Sequence, residues 1–242
     1  YDFDSYYEMT NKYTQNADLA YINFETLCIG ESYGLSGYPT FNGPTEILSS
    51  VNKAGFDWWS LSSNHSLDRG ADGLLAQIDL IHNEYPNVIT TGSHISQEDK
   101  NRTLVKEING IKVGFLGYTY GLNGFSLPED KPWLVDLIDK DQIKQDMEAL
   151  NKVSDVQMVS MHWGNEYQTE PTQEQEDLAN YLNELGVEVV IGSHPHVIEP
   201  AKIIKRKNQN TLVYYSLGNY TSAQDMDITM VGGMASFTLN YD

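Results

Sequence analysis

Apolar residues in this chain gather in short runs, and several runs stop abruptly at a histidine, an asparagine or a carboxylate. LAYIN (19–23) ends beside Glu25, DWWSLSS (57–63) runs into Asn64 and His65, and VQMVSM (156–161) runs into His162. VEVVIG (187–192) leads to His194 and His196, and TLVYYSLG (211–218) leads to Asn219. Short, nearly continuous apolar runs predict strands buried on both faces of a parallel sheet. Such strands present their C-terminal ends along one edge, the usual place for a ligand.

Between the runs the pattern changes to helical spacing. Phe3, Tyr6, Tyr7 and Tyr13 predict an amphipathic helix over 2–16. Residues 44–54 predict a helix with Pro44 in its first turn and Gly55 as its stop. Further helices are expected over 71–84, 139–153 and 171–186, the last opening at Thr172 and closing at Gly186. The stretch 30–43 is a long loop, and NVITTG (87–92) is another strand. Asn109-Gly110 between two apolar runs predicts a hairpin. A second hairpin is expected around 207–210, and a last strand over 233–240. Alternating strands and helices followed by antiparallel strands predict an α/β sandwich, with helices covering two packed sheets in one domain over 1–242.

Composition narrows the function. A net charge of −19 disfavours nucleic-acid binding, which needs a positive field. The single Cys28 excludes an internal disulfide framework and has no positive neighbour to activate it. No apolar run reaches the roughly 20 residues of a membrane span. The chain opens at Tyr1 without a methionine, and it reads as a portion of something longer.

The strand-end residues carry the chemistry. Histidine, asparagine and carboxylate together form the ligand set of a hard-to-borderline cation. His194 and His196 flank Pro195, and in an extended segment both rings would face the same side. His162 is a third candidate ligand, and Glu166 four residues on is either a carboxylate orienting an imidazole or a solvated acid. Asn64 offers a neutral carbonyl oxygen, and His65 beside it is placed to protonate a leaving oxygen, with Asp68 fixing its tautomer. Glu25 is placed to bridge two cations, with Asn23 on the same side of its strand. His82 and His94 read as surface residues, and Trp58 and Trp59 as core.

The order ADLAYINFET, GFDWWSLSSNHSLDRG, VSMHWGNEY, LGVEVVIGSHPHVIEP and YYSLGNY closely resembles the bacterial poly-γ-glutamate capsule-synthesis proteins (CapA-like), relatives of the calcineurin-like metallophosphatases. The resemblance covers nearly the whole chain. It implies a four-layer α/β/β/α sandwich with a dinuclear metal site, and the His, Asn and Glu donors suit Mn, Fe or Zn alike. It matches Glu25 to the bridging carboxylate, Asn64 to the amide ligand and His65 to the catalytic histidine. His162 and His194 match ligands of the second metal, and His196 a ligand of the first. The family's opening strand, ending in Gly-Asp, has no counterpart here, so the first metal shell is expected to be incomplete. A missing strand would also leave a sheet edge that favours pairing between copies. The resemblance further implies an exported protein at the outer face of the bacterial membrane, anchored outside this chain. Its expected partners are capsule synthesis and export membrane proteins and an anionic envelope polymer. Two functions stay open on these grounds: a metal-dependent hydrolase of phosphoesterase type, or a non-catalytic subunit that binds polymer.

Overall fold

The apolar runs build two sheets, one in each of two compact units. The computed structural model describes residues 1–207 and 209–240. The first unit comprises Tyr1–Arg102 and Gly117–Leu137, and the second Thr103–Leu116 and the chain from Ile138.

In the first unit the elements are α1 (Asn11–Thr14), β1 (Tyr21–Asn23), α2 (Glu46–Lys53), β2 (Trp58–Ser60), α3 (Gly70–Glu84), β3 (Ile89–Thr91) and α4 (Gln97–Lys100). The three strands are parallel, in the order β1-β2-β3, with Asn23 opposite Ser60 and Ser60 opposite Thr91. Trp58 and Trp59 are fully buried, as expected of core residues. Their indole N–H groups donate to Thr91 Oγ1 and to the Phe56 carbonyl, so neither polar edge is left unmet. Leu74, Ile78 and Ile81 form the buried stripe of α3.

The second unit holds β4 (Val105–Ile108), β5 (Ile111–Thr119, whose final residues belong to the first unit), α5 (Lys140–Leu150), β6 (Val156–His162), α6 (Gln173–Leu185), β7 (Val189–Ser193), β8 (Ala201–Arg206) and β9 (Gln209–Tyr214). Its sheet runs β4-β5-β6-β7-β9-β8. β6, β7 and β9 are parallel neighbours, and the hairpins β4-β5 and β8-β9 are antiparallel. Asn109 and Gly110 both take positive φ in the first hairpin, as a tight turn requires. The turn residue Asn208 of the second hairpin lies outside the described residues. Asp139 caps α5 through the Gln142 amide, and α6 opens with a Thr172–Gln175 capping box and closes on left-handed Gly186.

Two expected elements and one expected surface residue differ from the structure. Residues 2–16 form a short 3-10 turn (Asp4–Tyr6) and the single-turn α1, not one helix. Thr10 and Thr14 hydroxyls bond back to the Tyr7 and Asn11 carbonyls, and Tyr6 and Tyr13 stay exposed, so little packing supports a longer helix. Residues 233–240 form no strand. A Cβ at the preceding Gly232 would lie 1.9 Å from the Asn219 carbonyl, so close backbone approach shapes this segment rather than a ladder. His94 is not a surface residue: its side chain is 15% exposed and bonds Asp136 at 2.8 Å.

Asp136 is the anchor of that last group. Lys100 Nζ lies 2.7 Å from its other oxygen, while its backbone joins Gly92 and Thr119. Burial lowers the affinity of the His94 ring for a proton, but hydrogen bonds to Asp136 and Asp99 outweigh it, and the pKa lies above the ordinary value. Burial raises Asp136, but His94 and Lys100 outweigh it, and its pKa lies below the ordinary value. The raised histidine contributes stability at low pH, lost as pH rises through its folded pKa. The lowered aspartate contributes stability at higher pH, lost as pH falls through its folded pKa. The pair therefore contributes most between about pH 4 and 6.5. In urea unfolding followed against pH, Asp136→Ala is expected to remove this contribution and cost about 3–5 kcal/mol, because two poorly hydrated cations lose the carboxylate they share.

Candidate functional site

Within the first unit, the parallel register brings the predicted polar groups to one sheet edge. β1 ends at Asn23 and β2 at Ser60, and the Phe24 amide donates to the Ser60 carbonyl. The Ser63 hydroxyl donates to the Glu25 carbonyl at 2.6 Å, tying the two strand exits together. Asn23 is half-buried, and its side-chain oxygen is buried without a hydrogen-bond partner among the described residues.

His65 and Asp68 form a buried pair. Nδ1 of His65 lies 2.8 Å from Oδ2 of Asp68, with side chains 10% and 1% exposed. The same oxygen accepts from the Phe41 amide at 2.6 Å, which marks it as an acceptor. His65 Nδ1 therefore carries the proton, and Nε2 is the nitrogen left for chemistry. Phe41 meets the ring edge-on at 4.7 Å. Asn123, which the sequence reading passed over, accepts from Asn64 Nδ2 at 3.0 Å and sets its own amide 3.4 Å from both His65 ring nitrogens. Its only sequence cue is the Asn-Gly pair that permits its positive φ of 50°.

Within the second unit, three histidines and a glutamate converge. His162 is the last residue of β6, opposite Ser193 of β7, and is fully buried. Its Nδ1 lies 2.9 Å from the Ser193 hydroxyl. The rings of His162 and His194 lie 4.9 Å apart, and those of His194 and His196 6.0 Å apart. One donor atom each from Glu166, His194 and His196 lie within 4.8 Å of one another. Bonds of about 2.0–2.2 Å hold donors around one ion no more than about 4.4 Å apart, so the cluster needs to contract only slightly to bind a cation. Two imidazoles and a carboxylate suit a borderline divalent ion. Glu166 thus stands where a ligand could, beyond the orienting role expected for it.

The expected geometry of His194 and His196 is not the observed one. The segment is not extended: φ is +98° at His194 and +60° at His196. Tyr167, whose amide donates to the Pro195 carbonyl at 2.8 Å, also takes positive φ. Left-handed conformations cost non-glycine residues about 1–3 kcal/mol each and cluster at functional sites. The turn, rather than strand alternation, brings the two rings together.

A family model described as "Bacterial capsule synthesis protein PGA_cap" matches residues 1–224. "PGA biosynthesis protein CapA" of Bacillus subtilis (strain 168) is 27% identical over 195 residues, 80% of this chain and 49% of that protein. "Capsule biosynthesis protein CapA" of Bacillus anthracis is 26% identical, over 99% of this chain and 59% of that protein. The chain thus spans about half to three-fifths of the length of these relatives. Among solved structures, a hypothetical protein from Thermus thermophilus superposes with a TM-score of 0.57 at 18% identity, covering 88% of this chain and 70% of its own. A putative 5′-nucleotidase from Staphylococcus aureus gives 0.50 at 19% identity, covering 73% and 35%. The α/β fold is thus shared with these two structures.

Glu199, three residues past His196, is a second group that sequence reading missed. It is 4% exposed and accepts one hydrogen bond, from Gln175 of the α6 capping box, at 2.8 Å. Burial pushes its carboxyl from 4.5 up to about 7, against the Gln175 bond and with Glu170 adding repulsion. A raised carboxyl contributes stability below its unfolded value that is lost as pH rises through the folded one. The urea midpoint of the protein is expected to fall between pH 4.5 and about 7, and Glu199→Gln is expected to flatten that fall.

Proposed function

This chain belongs to the bacterial capsule synthesis protein family PGA_cap, and on that premise we propose that it is a metal-dependent hydrolase acting on a phosphoester-type bond in envelope-polymer biosynthesis. The convergence of Glu166, His194 and His196 within 4.8 Å carries the reading. A histidine pair beside a carboxylate, on a turn with left-handed backbone at both histidines, supports a chemical role for the cluster.

Glu166, His194 and His196 would hold a divalent cation, with His162 as a further ligand. For the first unit, the family resemblance implies Glu25 and Asn64 as ligands. A bound cation supplies activation of water and polarisation of a phosphoryl oxygen. The protein's own contribution is proton handling. Asp68 holds His65 Nδ1–H and stabilises the imidazolium, so that Nε2 can deliver a proton to the leaving oxygen. Phe41 and the burial of the pair limit the ring's freedom to turn.

Among the described residues no helix is long and apolar enough to cross a membrane. Work at the outer face of the membrane, beside the membrane proteins of capsule synthesis and export, is part of the proposal. So is an anionic polymer or its precursor as substrate. With a net charge of −19, bound cations at the site would favour the approach of such a substrate.

The test measures metal content and turnover of bis(p-nitrophenyl) phosphate on the same preparations. His194→Ala is expected to lose metal and activity together. His65→Ala is expected to keep metal and lose about 10²- to 10⁴-fold in rate. Equal rates for wild type and His65→Ala would remove the acid role of His65, and wild-type turnover no faster than His194→Ala would sink the hydrolase reading and leave a polymer-binding subunit.

A further inference from the structure

The LGNY segment ends an apolar run as the other clusters do, yet neither the metal ligands nor the acid–base pair uses it. We propose that Asn219 is a positioning residue for His196: it fixes the ring as the Nδ1–H tautomer and so makes Nε2 the basic nitrogen. The tautomer assignment stands on hydrogen-bond chemistry alone, and its use for binding a cation rests on the function proposed above.

Asn219 is itself held in one place. Past β9, the Ser216 hydroxyl donates to the Val197 carbonyl at 2.7 Å, and the Ser216 carbonyl accepts from the Glu199 amide at 3.1 Å. The Gly218 amide donates to Ser216 Oγ, and Ile198 bridges Leu217. The segment that leads to Asn219 is therefore laced to the residues immediately after His196. On the other side the chain returns against it, with the Gly233 amide donating to the Leu217 carbonyl at 2.7 Å.

The amide of Asn219 can face only one way. Nδ2 lies 3.0 Å from Gln224 Oε1 and 3.0 Å from the Thr229 carbonyl. A backbone carbonyl accepts and never donates, so the atom facing it must be the amide nitrogen. Oδ1 is then the atom 2.9 Å from His196 Nδ1. An amide oxygen also only accepts, so Nδ1 must carry the proton. A neutral imidazole has one proton, and the lone pair falls to Nε2.

Gln224 extends the arrangement to Tyr167. Its amide nitrogen lies 3.4 Å from the Tyr167 hydroxyl, and the Tyr167 ring stacks on His196 at 6.1 Å and 26°. His196 is thus fixed in tautomer by Asn219 and in tilt by Tyr167, which itself hangs from the Pro195 carbonyl. Both contacts act on a residue whose backbone is left-handed, with φ of +60°.

The experiment is long-range ¹H–¹⁵N correlation of the histidine side chains in metal-free protein, at a pH where the rings are neutral, with His196 assigned by its loss in His196→Gln. Wild type is expected to show Nδ1–H at His196. Asn219→Ala is expected to lose that preference. Zn²⁺ binding is expected to weaken about 10- to 100-fold in Asn219→Ala. An Nε2–H tautomer in wild type, or an unchanged tautomer in Asn219→Ala, would overturn the proposal. If the tautomer changes while Zn²⁺ affinity does not, the assignment of Asn219 stands and the placement of a cation on His196 fails.

Discussion

The second unit depends on the parallel pairing of β6 and β7 in one register, His162 against Ser193. A slip of one residue would turn every side chain of a strand to its opposite face. In the observed register His162 ends its strand beside the start of the 194–196 turn, and its ring meets His194 at 4.9 Å. The register is held by close packing at Gly192, where a Cβ would lie 1.9 Å from the Tyr215 carbonyl and 2.5 Å from the Trp163 indole nitrogen. That nitrogen donates to the same carbonyl at 2.9 Å. A single missing side chain thus allows a tryptophan, a strand exit and a histidine turn to meet.

From that point the unit spends conformational freedom to place chemistry. His194, His196 and Tyr167 all adopt backbone that other residues avoid. Ser193, Asn219 and the Pro195 carbonyl hold them by hydrogen bonds. The capping box of α6 reaches the same region, since Gln175 both closes the helix start and bonds Glu199. A change at any of these supports would act on the histidines without touching them.

The first unit solves a different problem. Its strands are only three residues long, so ladder hydrogen bonds alone cannot make them rigid. Two buried tryptophans and the His94–Asp136–Lys100 group supply what the short sheet lacks. The His65–Asp68 pair sits in this frame with its orientation set by a backbone amide and an aromatic edge.

By itself the sequence determined the parallel strands, their order of appearance and the groups that follow them, because a buried run must be apolar and its exit must not be. It likewise determined the helix ends at Thr172, Gly186 and Asp139 and the Asn109-Gly110 turn, since each depends on local backbone chemistry. The family was legible in the order of its motifs. Tertiary structure decided what local chemistry cannot reach. It broke the 2–16 helix for want of a packing partner, left 233–240 without a ladder, and drew His94 inward to two carboxylates. It also gave roles to Asn123, Asn219 and Glu199, whose partners lie far along the chain or across a turn. Such roles arise from distance in space, and a one-dimensional pattern holds no record of that distance until the strands have set their register.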